Sequence, residues 1–157
     1  HMQLYFLRHG EAEDYQPDDH ARALTTKGKA RIQTAAQVLH KLKIDLTKIY
    51  TSPRIRALQT AQIVGRELGL DPHITEDMNY GFNHMALAKI IAPHGENDHL
   101  MLVGHEPILS QTIAHLTGAH IDMKRGGLAR VDIGKANLKS GILVWLIAPK
   151  VFDNLGD

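Results

Sequence analysis

The sequence predicts an α/β fold in three layers: a mainly parallel β-sheet with helices on both faces and an antiparallel strand near the C-terminus. The chain has 157 residues, 43% of them hydrophobic, so it can bury a substantial core. Short apolar runs typical of buried strands alternate with segments whose apolar residues recur at helical spacing. The last two strand-like runs have no helical pattern between them, which favours antiparallel pairing there.

Composition excludes several classes of protein. The net charge of +1 and the apolar content exclude global disorder and argue against nucleic-acid or membrane-surface partners. The absence of cysteine excludes disulfides, thiol catalysis and cysteine-ligated metals. No apolar run approaches the roughly 20 residues of a membrane span, and no signal-peptide pattern opens the chain. We expect a single cytoplasmic domain over residues 2–157, with His1 a remnant of an expression tag.

The first third of the chain predicts a strand, a loop, a helix and a second strand. Leu4–Leu7 is a short apolar run typical of a buried strand. Residues 10–25 are polar and acidic and form a long loop, a kind of segment that is often functional. Thr25 or Thr26 can cap the helix that follows, and Lys48–Thr51 forms the second strand. The apolar face of that helix comprises Ile32, Ala35, Ala36, Leu39 and Leu42.

The rest of the chain continues this alternation. Ser52 is the predicted N-cap and Pro53 the first residue of a second helix, and Glu106–Pro107 repeats this helix-start pattern. Gly69 and Gly118 are predicted to end these two helices. The other predicted elements are a short strand at 73–75, a helix around 87–91, and strands at 100–103, 128–133 and 142–147.

Histidines and arginines follow three of the predicted strands. Because ligands of open α/β sheets bind beyond the carboxyl ends of the strands, these side chains should meet at one edge. They are Arg8 and His9 after the first strand, Arg54 and Arg56 after the second, and His105 after the third. A cation in the first turn of a helix is unfavourable by roughly 0.3–1 kcal/mol, and a bound anion reverses that sign. The pattern therefore predicts a phosphate or oxyanion site.

Each of these residue types suits phosphoryl transfer. His9 is placed to act as a nucleophile, since neutral imidazole forms covalent intermediates, and Gly10 leaves room for a ligand beside it. Arg8 and Arg56 can bind phosphate bidentately with their planar guanidinium groups. His105 would donate to a phosphoryl oxygen as charge develops. The prediction is phosphoryl transfer through a phosphohistidine, with no metal ion and no other cofactor.

Three ordered blocks of sequence resemble a known family. The blocks are Leu7–Glu11, Ser52–Ala61 and Val103–Pro107. Together they resemble the histidine phosphatase superfamily, which includes cofactor-dependent phosphoglycerate mutases and many phosphatases. The short chain and the Leu24–Gly28 segment are most similar to its SixA branch of phosphohistidine phosphatases.

The resemblance implies residue roles and a substrate. His9 would be the phosphorylated nucleophile, and Arg8, Arg56 and His105 would complete the phosphate pocket. Arg54 occupies a position that varies in the family. The substrate would be a phosphohistidine in a signalling protein, and the product inorganic phosphate.

One departure from the family pattern concerns the general acid. Monoester hydrolases and mutases of the superfamily carry a glutamate in the stretch that matches Glu76–Gly81, where Tyr80 stands in this chain. Tyrosine, with an unperturbed pKa of about 10, is a poor acid for a leaving alkoxide. A leaving imidazole, whose conjugate acid has a pKa of about 6.5, needs less help. The departure therefore favours a phosphohistidine over a sugar phosphate.

Other functions stay open on the sequence. A small-molecule phosphomonoesterase would need an acid such as Glu76, Asp77 or Glu11. A phosphate- or phosphoprotein-binding module would need no turnover. Glu11 could also orient His9 or a water molecule, or be a surface carboxylate, and Tyr80 could serve packing alone.

Two charged groups also have structural alternatives. Arg56 could form an ion pair with Glu106 or with an acid of the 11–19 loop, alongside any phosphate role. The acids of that loop could hold a metal ion with His20, but their spacing favours a solvated loop.

Overall fold

The computed structural model describes residues 1–134 and 137–156. Its strands are β1 (Met2–Arg8), β2 (Lys48–Thr51), β3 (His73–Ile74), β4 (His99–Gly104), β5 (Leu128–Gly134) and β6 (Asn137–Ile147). Its helices are α1 (Thr26–Lys41), α2 (Ile55–Leu68), α3 (His84–Ile91), α4 (Ile108–Thr117) and α5 (Pro149–Leu155). Short 3-10 turns at Asp19–Ala21 and Glu76–Met78 lie in the connections.

The six strands form a mixed sheet in the order β3-β2-β4-β1-β5-β6. The pairs β2–β3, β2–β4 and β1–β4 are parallel. By contrast, β5 runs antiparallel to β1, and β6 runs antiparallel to β5. The predicted mainly parallel sheet is thus confirmed, and so is the antiparallel strand near the C-terminus.

Side chains of the central strand β1 alternate between two cores. Leu4 and Phe6 pack on the face that carries α3 and α4, while Tyr5 and Leu7 pack on the face that carries α1, α2 and α5. Each of these four side chains is at most 2% exposed. A strand buried on both faces has a continuous apolar sequence, which is why this one is recognisable from the sequence.

The predicted start is confirmed for α1 and wrong for α2. The Thr25 hydroxyl accepts a hydrogen bond from a backbone N–H in the first turn of α1. Helix α2 begins at Ile55 with Arg54 as N-cap, two residues after the predicted start. The Ser52 hydroxyl, predicted to cap it, lies 2.8 Å from Nε2 of His105 instead. This contact joins two strand ends that are distant in sequence, so a local pattern does not encode it.

Helix α4 begins at Ile108, with Pro107 as the N-cap and not as the first helical residue. The Glu106 carboxylate caps this helix by accepting a hydrogen bond from a backbone N–H of the first turn at 2.8 Å. The predicted helix ends are confirmed, since Gly69 and Gly118 adopt left-handed conformations with φ of 77° and 76°.

Helix α5 is absent from the prediction. Pro149 at its first position is a helix-start signal that the strand pattern before it obscures. Phe152 of this helix is 1% exposed and packs in the core beside α1. Within the described residues, no helix is both long enough and apolar enough to span a bilayer.

Candidate active site

The carboxyl ends of β1, β2 and β4 meet at one edge of the sheet because these strands are neighbours. Four predicted site residues, Arg8, His9, Arg56 and His105, line one pocket there with a volume of about 250 Å³. Tyr80 lines the same pocket. The other lining residues are Ala12, Arg22, Glu106 and Arg125. The fold thus brings together side chains that follow three separate strands.

The ring of His9 is held in one tautomer. Nδ1 lies 2.8 Å from the carbonyl oxygen of Gly10, which can only accept, so Nδ1 carries the proton. Nε2 is then unprotonated and accepts a hydrogen bond from Nε of Arg56 at 3.3 Å. Burial, reinforced by the charges of Arg56 and Arg8, lowers the pKa of His9 to about 3. At neutral pH the ring is therefore uncharged, with a lone pair on Nε2.

His105 presents an unpaired N–H beside His9. The two ring centroids are 5.3 Å apart. We assign the proton of neutral His105 to Nδ1, with the Ser52 hydroxyl, which accepts from the Arg54 N–H, as the donor to Nε2 of His105. Within the described residues this Nδ1 is buried and has no hydrogen-bond partner. Burial, followed by repulsion from His9 when that ring is also protonated and from Arg56, lowers the pKa of His105 to about 3.

Arg8 supplies a second unpaired donor. Its Nη1 donates to the carbonyl oxygen of Met123 at 3.0 Å, while its Nε is buried without a partner in the part of the chain that the structure describes. A buried donor left unpaired costs about 1–3 kcal/mol. Two such donors beside one unprotonated imidazole indicate a site for an acceptor from outside the chain, and an oxyanion can satisfy both.

Arg56 is held from its outer side. The side chain is 2% exposed, its Nη1 donates to the backbone oxygen of Asp19 at 2.9 Å, and its Nη2 donates to the Asp19 carboxylate at 3.2 Å. Nη2 also donates to the Tyr80 hydroxyl. The Nε of the guanidinium is left on the side of the nucleophile. The predicted ion pair with an acid of the 11–19 loop is confirmed, whereas the Glu106 carboxylate accepts from the Ser110 hydroxyl of α4.

Asp19 is a site residue that the sequence pattern does not single out. Its carboxylate accepts hydrogen bonds from Arg54 at 2.7 Å, from Arg22 at 2.8 Å and from the Tyr80 hydroxyl. Although burial acts in the opposite direction, the hydrogen bonds from Tyr80 and Arg22 and the charge of Arg56 hold the pKa of Asp19 well below its usual range. The acidic loop is thereby tied to α2 and to Tyr80. Its one sequence signal is membership of a loop rich in acids.

The three auxiliary candidates lie in different settings. A Cβ on Gly10 would lie 2.8 Å from a core side chain of α1, so the close packing there requires glycine. The Glu11 carboxylate accepts from the Thr25 hydroxyl at 2.7 Å and lines a neighbouring cavity, not the pocket of His9. Tyr80 lies beside His105 with ring centroids 4.9 Å apart.

The alternative acids do not line the pocket. Glu76 accepts a hydrogen bond from Asn79 at 3.0 Å, and Asp77 lies 3.5 Å from Lys89. Across residues 1–134 and 137–156, no group of three or more His, Asp or Glu side chains converges to hold a metal ion, and this includes His20.

Comparisons with known proteins agree with this geometry. Residues 4–80 match the profile of the histidine phosphatase superfamily, branch 1. A phosphohistidine phosphatase SixA homolog of Haemophilus influenzae is 30% identical over 96% of this chain and 99% of its own length. An uncharacterized protein of Picosynechococcus sp. is 36% identical over 95% and 98% of the two chains. The structure of the protein histidine phosphatase SixA with tungstate has a TM-score of 0.86 at 24% identity, over 96% and 99% of the two chains. The chain therefore belongs to branch 1 of the histidine phosphatase superfamily.

Proposed function

We propose that this protein is a phosphatase that removes phosphate from a phosphohistidine in a signalling protein, through an intermediate phosphorylated on His9. One observation carries the proposal: the neutral ring of His9, unprotonated on Nε2, shares a pocket with Arg8 and His105. Each of those two side chains has a buried nitrogen, Arg8 Nε and His105 Nδ1, without a partner within the described residues. A nucleophile surrounded by donors for oxyanions suits phosphoryl transfer. Similarity to the SixA homolog of Haemophilus influenzae supports the choice of substrate.

In the first step, Nε2 of His9 attacks the phosphorus atom. A P–N bond to His9 forms while the P–N bond of the substrate breaks. The substrate ring is protonated on its other nitrogen before the bond breaks, so it takes the bonding electron pair and leaves as neutral imidazole. Positive charge grows on the His9 ring, and the Gly10 carbonyl, which accepts from Nδ1–H, stabilises it. Arg8, Arg56 and His105 would donate to the phosphoryl oxygens.

In the second step, water attacks the phosphorus of phospho-His9. The P–N bond breaks, the electron pair returns to Nε2, and the water oxygen and protons leave with inorganic phosphate. Because the pKa of His9 is lowered to about 3, the ring is released in its neutral form and is ready for another cycle at neutral pH. The same donors serve both steps, so the site needs no rearrangement between them.

The surroundings of Tyr80 support a leaving group that needs no strong acid. The Tyr80 hydroxyl donates its proton to the Asp19 carboxylate and accepts from Arg56. That proton is already engaged, so the tyrosine is poorly suited to protonate an alkoxide. Imidazole leaves more readily, since its conjugate acid has a pKa of about 6.5.

Paired turnover assays test the proposal. Phosphate release is measured on a phosphohistidine-bearing protein and on an aryl phosphate, whose good leaving group reports the nucleophile alone. Wild type should turn over both and prefer phosphohistidine. His9→Ala should abolish both activities, and the phosphoenzyme should be trapped on His9 in wild type under alkaline quench. His120→Ala, at an exposed histidine outside the pocket, is the matched control.

Three results would contradict the proposal. Equal activity of wild type and His9→Ala would exclude His9 as the nucleophile. Turnover of alkyl phosphates that equals turnover of phosphohistidine would favour a small-molecule phosphomonoesterase. Phosphate binding without any turnover would favour a binding module.

A further inference from the structure

A second cavity adjoins the catalytic pocket. It lies between α1, α5 and the 124–126 turn, has a volume of about 480 Å³, and is termed the α1–α5 cleft. Arg8 and Arg125 line both the cleft and the catalytic pocket. The N–H of Gly126 lies 3.1 Å from the carbonyl oxygen of Arg8 and 3.0 Å from that of His9. One wall of the cleft is therefore fixed to the strand end that carries the nucleophile.

The cleft has an apolar floor and a cationic rim. Its floor includes Ile32, Ala35 and Phe152, which are between 1% and 5% exposed. Five cations line it, namely Arg8, Arg31, Lys124, Arg125 and Lys150, against one acid, Glu11. This composition suits a polypeptide segment that offers both an apolar side chain and carboxylates.

Some of these cations have no close ion pair with a described residue. Arg31 and Lys124 each lie 2.6 Å from an aspartate oxygen. Arg125 approaches the Glu11 carboxylate no closer than 3.9 Å and is half exposed. Lys150 is exposed and forms no ion pair with any described residue. The rim therefore keeps a positive charge, which attracts acidic groups.

We propose that the α1–α5 cleft binds an acidic segment of the phosphorylated protein, next to its phosphohistidine. The inference rests on the proposed function and names the substrate class more closely. A phosphoryl group in the pocket of about 250 Å³ leaves the adjoining cleft for the residues that flank it. Arg8, which lines both spaces, joins the two parts of the substrate-binding surface.

Binding and turnover together test the cleft. Fluorescence anisotropy measures binding of two peptides that carry the same non-hydrolysable phosphohistidine analogue, one with acidic and one with basic flanking residues. Wild type should bind the acidic peptide more tightly, and the preference should shrink at high salt. Lys150→Glu should weaken binding of the acidic peptide about five-fold, as expected for reversal of one exposed charge, and should not weaken binding of the basic one. Its aryl phosphate turnover should stay within about two-fold of wild type.

Matched variants separate charge in the cleft from charge in general. Lys29→Glu reverses another exposed cation, on α1 but outside the cleft, and should leave both peptides unaffected. Lys150→Glu is not expected to unfold α5, because it introduces an acid into the first turn of that helix. Lys124→Glu combined with Lys150→Glu should weaken acidic binding further than either change alone.

The outcomes distinguish the two proposals. Equal binding of the two peptides, or equal effects of Lys150→Glu and Lys29→Glu, would overturn the cleft proposal even if wild type hydrolyses phosphohistidine. Selective binding of the acidic peptide that depends on Lys150 would uphold the cleft proposal. If that binding occurred without phosphohistidine turnover, it would uphold the cleft while the proposed function failed.

Discussion

Replacing Asp19 by asparagine is expected to impair phosphate release although Asp19 is not the nucleophile. Its carboxylate binds Arg56 from the side opposite His9 and so aims the guanidinium Nε at the nucleophile. It also receives the Tyr80 hydroxyl and the Arg54 guanidinium. The asparagine would keep the size of the side chain but lose the charge. Its NH₂ group would also point hydrogen-bond donors at the donor groups of Arg54, Arg56 and Tyr80. Asp19→Asn therefore misaligns Arg56 without emptying the pocket.

The magnitude depends on the number and exposure of these contacts. Hydrogen bonds to charged groups contribute about 1.5–3 kcal/mol each, against about 1 kcal/mol for neutral ones. The Asp19 side chain is 23% exposed, so solvent screens part of the difference. We expect a loss of about 1–2 kcal/mol in the free energy of unfolding, or about 2–8 °C in Tm. A misplaced Arg56 should lower kcat/KM for aryl phosphate by about 10–100-fold.

The assay compares Asp19→Asn with Asp18→Asn, a change of the exposed acid next to it. Steady-state aryl phosphate hydrolysis gives kcat and KM, and thermal unfolding gives Tm. Asp18→Asn should leave both close to wild type, while Asp19→Glu should recover part of the lost activity. Wild-type kcat/KM in Asp19→Asn would refute the positioning role. Tighter phosphate binding with undiminished kcat would instead identify Asp19 as a competitor of phosphate.

Three further predictions concern other parts of the molecule. Because burial lowers the pKa of His9 and His105 to about 3, kcat should persist down to pH 5. The free energy of unfolding measured with urea should nevertheless fall as the pH drops below about 6.5. The reason is that His9 and His105 take up protons in the unfolded chain but not in the folded one. His105→Gln should make this fall smaller. Gly28→Ala should lower the free energy of unfolding by about 1–3 kcal/mol and so lower Tm, because a Cβ there would lie 2.1 Å from a backbone oxygen. Gly95→Ala is the control and should leave Tm unchanged, since a Cβ at that position would meet open space. Ser52→Ala should lower kcat for aryl phosphate about ten-fold by freeing the Nε2 of His105, and an unchanged kcat would contradict the tautomer assigned to that ring.

The amino-acid sequence by itself determined the fold class and the principal residues of the pocket. Buried strands such as Leu4–Leu7 have continuous apolar sequences, and parallel strands deliver the residues after their carboxyl ends to one edge of the sheet. This is why Arg8, His9, Arg56 and His105 could be placed together from the sequence alone. Left-handed glycines and the Thr25 cap are also local signals, since each depends on the backbone within one turn.

Only the tertiary structure decided which groups are paired and which are free. The Ser52 hydroxyl contacts His105 and is not the N-cap of α2 that the sequence predicts. Asp19 accepts from Arg56, which lies 37 positions away in the chain. The buried nitrogens of Arg8 and His105 have no partner among the described residues, because the elements packed around them exclude water and offer no acceptor there. Each of these facts depends on contacts between distant segments. The free-energy cost of burying a polar group depends on whether the fold places a hydrogen-bond partner beside it. That partner usually comes from a distant segment, so local sequence patterns do not predict it.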